Sequence, residues 1–126
     1  WACGGAGLSG ERVFRGYSQM AAMRDAAVAA TQRFDAVLSP VMQTPNFAAD
    51  WASPLNDPAQ PFEHIAFTVA FNFSEQPAVS INAGHSDEGS PIGLQIAARR
   101  HDDLMALRVA HAWEQLRGPQ RPWPVV

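Results

Sequence analysis

The stretch from Phe67 to Ala98 restricts the possible folds of this chain more than any other. Two short apolar runs, Ala78 to Asn82 and Ile92 to Ala98, are separated by a polar segment, Ala83 to Pro91, centred on Asp87-Glu88-Gly89. Apolar runs bounded by Gly, Pro, Asp and Ser read as strands, and a turn of this length allows an antiparallel hairpin. Before Gln76-Pro77, the residues Phe62, Ile65, Ala66, Val69 and Phe73 recur at helical spacing, with Phe67 and Phe71 on a neighbouring face. Pro61 suits the first turn of such a helix. The helix is apolar nearly all round and both strands are apolar on both faces. That pattern predicts strands inside a sheet that helices cover, in an α/β domain.

The rest of the chain supplies elements for that sheet. Ser9 is a good N-cap, with Leu8 and Val13 placed as a hydrophobic staple, for a helix running to about Arg33. Val13, Phe14, Tyr17, Met20 and Ala21 form its apolar stripe. Gly16 in its middle costs about 1 kcal/mol relative to Ala, which predicts a compensating close contact or a later helix start. Asp35-Ala36-Val37-Leu38 reads as a short buried strand ended by Pro40. From residue 40 to residue 61 five prolines, with Asn and Asp, make a long irregular segment of the kind that is functional or packed on a partner surface. Trp51 within it is expected to be covered, by residues outside this chain. Asp102 caps a last helix whose apolar side is Leu104, Leu107, Val109, Ala110, Trp113 and Leu116. Gly118-Pro119 stops it, and an extended tail follows to Val126. Residues 1–8 are Gly-rich and expected to be loose.

Composition excludes several functions. With 47% hydrophobic and 17% charged residues in 126, the chain is large enough for one globular core. A net charge of -3 gives no broad attraction to nucleic acid or to an anionic membrane. No apolar run approaches the roughly 20 residues that span a bilayer. The single Cys3 precludes an internal disulfide and fits a reducing, cytoplasmic compartment. The N-terminus is not a signal peptide and carries no initiator Met, so a processed product or a piece of something longer is expected. All nine basic residues are Arg. Without lysine, no mechanism that uses one as a base can be completed inside this chain.

Local constellations of reactive residues have plainer readings. Ser74, Ser80, Ser86 and His85 read as caps of turns and strand ends, since no acid is placed to complete a Ser-His pair. His101-Asp102-Asp103 reads as a helix cap and not as a metal site. Cys3 lacks a neighbouring base. Asn72-Phe73-Ser74 fits a glycosylation sequon, but its apolar setting predicts a structural Asn.

Four blocks in register resemble the amidase signature family. Phe67-Thr68-x-x-Phe71-Asn72-Phe73-Ser74-x-Gln76-Pro77-Ala78-Val79-Ser80 is similar to its F-T-x-x-F-N-x-[ST]-G-x-P-A-x-S segment. Gly89-x-Pro91-Ile92-Gly93-Leu94-Gln95-Ile96 resembles its G-x-P-[IV]-G-[LV]-Q-[IL] strand. Phe34 to Pro40 and the helix from Asp102 through Glu114 match its flanking elements, so the order agrees from about Ser9 onward. Three positions depart from the pattern: Glu75 where Gly is usual, Asn82 for Pro, and Ala98 for Gly. They put local turn geometry in question.

The resemblance implies that residues 1–126 are the C-terminal portion of an α/β/α fold with a mixed, helix-covered sheet. It implies hydrolysis of linear carboxylic amides, without cofactor or metal, by a Ser-Ser-Lys set and an oxyanion hole that all lie outside this chain. Gly4-Gly5-Ala6-Gly7-Leu8-Ser9-Gly10 lacks the paired serines of the family's Gly-Ser loop. No catalytic residue is therefore assigned here, and the chain alone is expected to be inactive. The family's acyl-pocket wall, carried over, marks Met42, Trp51, Phe67 and Asn72 as substrate-binding. The implied partners are a small-molecule amide and the N-terminal part of the fold, with neither nucleic acid nor membrane. The isolated piece is expected to expose apolar sheet surface and self-associate. The alternatives are a stand-alone, non-catalytic binding module and a fragment of an aminoacyl-tRNA amidotransferase subunit.

Overall fold

The computed structural model describes residues 5–44 and 46–120. Cys3 and the tail from Arg121 to Val126 lie outside the described residues. The described elements are α1 (Gly10–Thr31), β1 (Ala36–Pro40), α2 (Val69–Ser74), β2 (Ala78–His85), β3 (Pro91–Ala98) and α3 (Asp103–Leu116), with a 3-10 turn at Glu63–Ile65.

The three strands form one antiparallel sheet in the order β1-β3-β2. Parallel pairings of a larger mixed sheet would need strands other than these. β2 and β3 make the expected hairpin. Its turn is closed by the Ser86 N–H donating to the Ser90 carbonyl at 2.8 Å and the Ser90 N–H donating to Ser86 Oγ at 3.1 Å. Directly opposed residues share a face, so Leu38, Ile96 and Val79 lie on one side and Ser39, Gln95 and Ser80 on the other.

Burial is concentrated in the central strand. Gln95, Ile96, Ala97 and Ala98 are all buried, whereas β2 alternates between exposed and half-buried over residues 78–81. Burial on both faces therefore holds for the second half of β3 and fails for β2. Among the described residues β2 is an edge strand, and its alternation is that of a strand covered on one side. β1 extends past Leu38 to Pro40, because an edge position tolerates a proline that has no N–H for the ladder.

α1 starts where its cap predicts, with Ser9 Oγ accepting from the Arg12 N–H at 3.3 Å. It contains no buried residue, however, and Phe14 and Tyr17 are about 70% exposed (71% and 68%). Gly16 lies inside the helix with no atom within 4 Å of the place a Cβ would take. Neither the close contact nor the late start is present.

In α3, Asp102 caps the helix by accepting from the Met105 N–H at 3.1 Å. The face on the sheet matches the expected one in part: Ala110 is buried and Val109 and Trp113 are half-buried, but Ala106 is buried as well, while Leu104, Leu107 and Leu116 are exposed. The stripe Ala106, Ala110, Trp113 and Arg117 has helical spacing, and its two alanines let the backbone approach the sheet closely. Trp113 Nε1 and Arg117 Nη1 both donate to the Asn82 carbonyl at 3.2 Å. Asn82 sits at a register shift in β2, with its Oδ1 accepting from the Gly84 N–H at 2.9 Å and Gly84 at φ +144°. The Asn that stands for the family's usual Pro thus builds a bulge that anchors α3.

The single helix expected from Pro61 to Phe73 is divided in two. Ile65, Ala66 and Thr68 N–H groups bond three residues back, and the α-helix begins beyond Thr68. The Phe67 carbonyl, which an unbroken helix would offer to Phe71, accepts from Gln95 Nε2 at 2.9 Å. Phe62 and Phe67 are 56% and 39% exposed, so burial on all sides does not hold for this segment.

Candidate functional site

Two buried glutamines hold the centre of the molecule together. Gln76, 8% exposed, donates from Nε2 to the Ala98 carbonyl at 2.9 Å and to Thr31 Oγ1 at 3.1 Å, and its Oε1 accepts from Ser74 Oγ at 2.8 Å. One side chain thus joins the ends of α1, α2 and β3. Gln95 donates to Ser39 Oγ at 3.0 Å as well as to Phe67, tying β3 to β1 and to the segment laid over that face. Sequence reasoning missed both roles. The available signal was an amide inside an otherwise apolar run, which must find partners once buried.

Glu75, between Ser74 and Gln76, is left-handed at φ 59° and caps α2, with its N–H donating to the Phe71 carbonyl. The turn keeps the conformation a glycine would favour there; the residue bears the strain. Arg100 pairs with the Glu75 carboxylate on the surface.

A cleft of about 640 Å³ opens between the segment after β1 and the β2–β3 hairpin. Met42, Thr44, Asp87, Glu88 and Ile92 are among its walls. Of the four residues expected to meet substrate, Met42 lines this cleft and Trp51, Phe67 and Asn72 do not. Trp51 is 44% exposed on the Pro-rich segment. Phe67 presents its carbonyl to Gln95. Asn72 is exposed on α2, which corrects its reading as part of a buried segment. The chain by itself does not bring the four together.

The serines behave as caps and ties. Ser74 donates to the Gln76 side chain, and Ser86 closes the hairpin turn. Ser86 borders the large cleft, while His85 borders a separate hollow of about 300 Å³ beside Arg117. Among the described residues no three His, Cys, Asp or Glu side chains gather as a metal-binding group, and no helix is long and apolar enough to cross a membrane. The irregular segment and the 3-10 turn after it carry a different kind of signal. Among the described residues, Thr44 Oγ1, Ser53 Oγ, both carboxylate oxygens of Glu63 and Nδ1 of His64 are buried without a hydrogen-bonding partner, and the His64 ring lies 6.4 Å from that of Phe47.

The family model for amidases matches residues 5–107. The chain belongs to the amidase family. Amidase-family relatives include a glutamyl-tRNA(Gln) amidotransferase subunit from Brevibacillus brevis, 40% identical over 85 residues, which are 68% of this chain and 17% of that protein. The corresponding protein of Heliobacterium modesticaldum is 34% identical over 95 residues, covering 75% of this chain and 19% of the relative. Among solved structures, 6-aminohexanoate cyclic dimer hydrolase complexed with substrate superposes with a TM-score of 0.66 at 26% identity, covering 84% of this chain and 25% of that one. A bacterial aryl acylamidase of the amidase signature family superposes at 0.64 with 25% identity, covering 87% and 25% respectively. This amidase-family chain therefore spans under a fifth of the length of the curated relatives it matches.

Proposed function

We propose that this chain forms part of the sheet and substrate wall of an amide-cleaving enzyme, with the Ser-Ser-Lys chemistry supplied by residues outside it. The observation that carries this reading is the family match over residues 5–107 in a sequence without a single lysine. A nucleophile activated through lysine needs a lysine. The chain then contributes architecture: the Gln95 bridge sets the Phe67 segment over the sheet, and Met42 lines the cleft. We assign substrate contact to Met42, and to Trp51, Phe67 and Asn72 once the remaining part of the domain brings its own walls to them. The substrate is a small linear amide that yields an acid and ammonia or an amine, in the cytoplasm.

A second reading has a specific observation behind it. The listed curated relatives, at 32–40% identity, are glutamyl-tRNA(Gln) amidotransferase subunits. On that reading the same sheet belongs to one component of an amidotransferase.

Incubating the 126-residue chain with aliphatic amides, aryl amides and glutamine, and following ammonia or amine release, tests the first proposal. No turnover is expected from the chain alone, and turnover is expected from the longer reading frame that includes a Ser-Ser-Lys set. Sustained hydrolysis by the isolated chain would refute it. Turnover of the longer product on glutamine alone would favour the amidotransferase reading.

A further inference from the structure

The cleft beside Met42 lies in the acidic part of the chain. Residues 34 to 98 contain seven carboxylates and neither Arg nor Lys, and all nine arginines stand before or after them. Two of the seven are paired from outside that stretch, Asp35 by Arg99 and Glu75 by Arg100. Both walls of the cleft come from within it, one from the segment after β1 and the other from the β2–β3 hairpin. Asp87 and Glu88 are the carboxylates on the lining. Both are exposed, and neither forms an ion pair among the described residues. Val41, Met42 and Ile92 give the same lining an apolar side, and Thr44 adds a hydroxyl whose Oγ1 is buried with no hydrogen-bonding partner. The two walls meet at a fixed spacing. The Val41 N–H donates to the Gly93 carbonyl at 3.1 Å, and a Cβ on Gly93 would stand 2.8 Å from Val41 Cγ2. At about 640 Å³ the recess has the size of a small-molecule site.

We infer that the amide taken into this cleft carries a primary ammonium group, with its stem against Met42 and Ile92 and its charge toward Asp87 and Glu88. This rests on the proposed function and names the substrate class of the same site. Charges of one sign beside low-dielectric walls concentrate cations and repel anions, and no basic side chain on the lining offsets these two. An ammonium brings three donors, enough for both carboxylates, while the orphaned Thr44 hydroxyl is left to hydrogen-bond the amide group. A bare metal ion fits less well. Calcium takes about six to eight oxygens, and two neighbouring carboxylates among apolar side chains fall short of that set.

The test titrates the 126-residue chain with β-alaninamide, butyramide and succinamate, which share a stem and end in an ammonium, a methyl and a carboxylate, and follows the backbone amide signals of the hairpin turn by NMR. At low ionic strength β-alaninamide should bind roughly fivefold more tightly than butyramide, and succinamate more weakly than either. The preference should shrink in about 0.5 M sodium chloride. Asp87→Asn with Glu88→Gln should erase it. Asp50→Asn with Asp57→Asn makes the same change in net charge away from the lining and should leave it intact. Equal binding of the three amides overturns the inference, and so does a preference that both pairs of substitutions weaken alike. Tight binding of calcium chloride without any preference for the ammonium would assign the cleft to a metal and overturn it as well. In the longer product with its Ser-Ser-Lys set, kcat/KM should favour β-alaninamide over butyramide by a similar factor. Turnover without that preference defeats the inference alone, whereas a longer product that hydrolyses no amide, with the binding preference intact, counts against the proposed function.

Discussion

β3 buries four consecutive residues, Gln95 to Ala98, between two neighbouring strands, whereas the 22-residue α1 buries none. Both were legible as elements from apolar spacing, yet their energetics differ. In β3 the apolar atoms and the polar ones are both satisfied inside the chain, the latter through Gln95 and the Gln76 bond to the Ala98 carbonyl. In α1 the cap is made and the helix bonds close, but Val13, Phe14, Tyr17, Met20 and Ala21 stay exposed, and its contact with α2 leaves Ala27, Val28 and Thr31 only half-buried. Periodicity identifies an amphipathic helix; it does not say whether the partner of its apolar face lies in the same chain. Substitutions in the two regions should therefore separate cleanly.

The largest effect is expected at Gln76. Gln76→Leu keeps the volume but strips donors from the Ala98 carbonyl and leaves Ser74 Oγ without its side-chain partner. Orphaning buried polar groups costs about 1–3 kcal/mol each, so a loss of roughly 3 kcal/mol is expected in urea unfolding of the chain. A loss below about 1 kcal/mol would mean that the centre is held by apolar packing alone.

Gly93 comes next. A Cβ there would stand 2.8 Å from Val41 Cγ2 and 3.1 Å from Val41 Cβ. The Val41 N–H donates to the Gly93 carbonyl at 3.1 Å, so the two backbones cannot separate without losing that bond. Gly93→Ala should destabilise by about 2 kcal/mol, the cost of overpacking next to a stiff β-branched side chain. Unfolding of Gly93→Ala and Val41→Ala together, compared with each alone, isolates the clash: the double variant should recover part of the loss.

How much of this was readable in advance follows from what each feature depends on. The caps at Ser9 and Asp102 and the hairpin between β2 and β3 are set by residues within a few positions, and the sequence displays them directly. The division of the Phe62–Ser74 segment was not readable, because it depends on Gln95, 28 residues away, capturing the Phe67 carbonyl. The buried side of α3 was read correctly at Val109, Ala110 and Trp113 and misjudged at the leucines for a related reason. Hydrophobicity favours Leu104 and Leu107, whereas close approach to the sheet favours Ala106 and Ala110. Of the expected substrate residues, Met42 could be placed at a cleft because its loop follows a strand. Trp51, Phe67 and Asn72 lie away from that cleft, and apolar character alone does not tell a pocket wall from an exposed loop or helix position.

A smaller effect, of opposite sign, is expected at the turn between α2 and β2. Glu75 holds φ 59°, a conformation that costs a residue with a Cβ about 1 kcal/mol or more. Its surface pair with Arg100 returns little of that, since exposed pairs contribute roughly 0–1 kcal/mol. Glu75→Gly should stabilise the chain by about 0.5–1 kcal/mol, whereas Glu75→Ala, which keeps the strain and loses the pair, should not. Equal effects of Gly and Ala would show that the turn relaxes out of the left-handed region.

The smallest effect carries the sharpest contrast with β3. Phe14 is 71% exposed, so Phe14→Glu removes almost no buried apolar area and should change the stability of the isolated chain by less than about 0.5 kcal/mol. The same substitution breaks the apolar stripe of α1 and should visibly lower hydrophobic-dye binding and self-association. A loss above about 1 kcal/mol would place Phe14 in a packed interface within the chain and erase the difference between α1 and β3. Unchanged dye binding would show that the exposed apolar surface lies elsewhere, on the open edges of β1 and β2. Near-neutral stability with reduced dye binding is the combination expected of a helix whose apolar face is made for a partner and not for its own core.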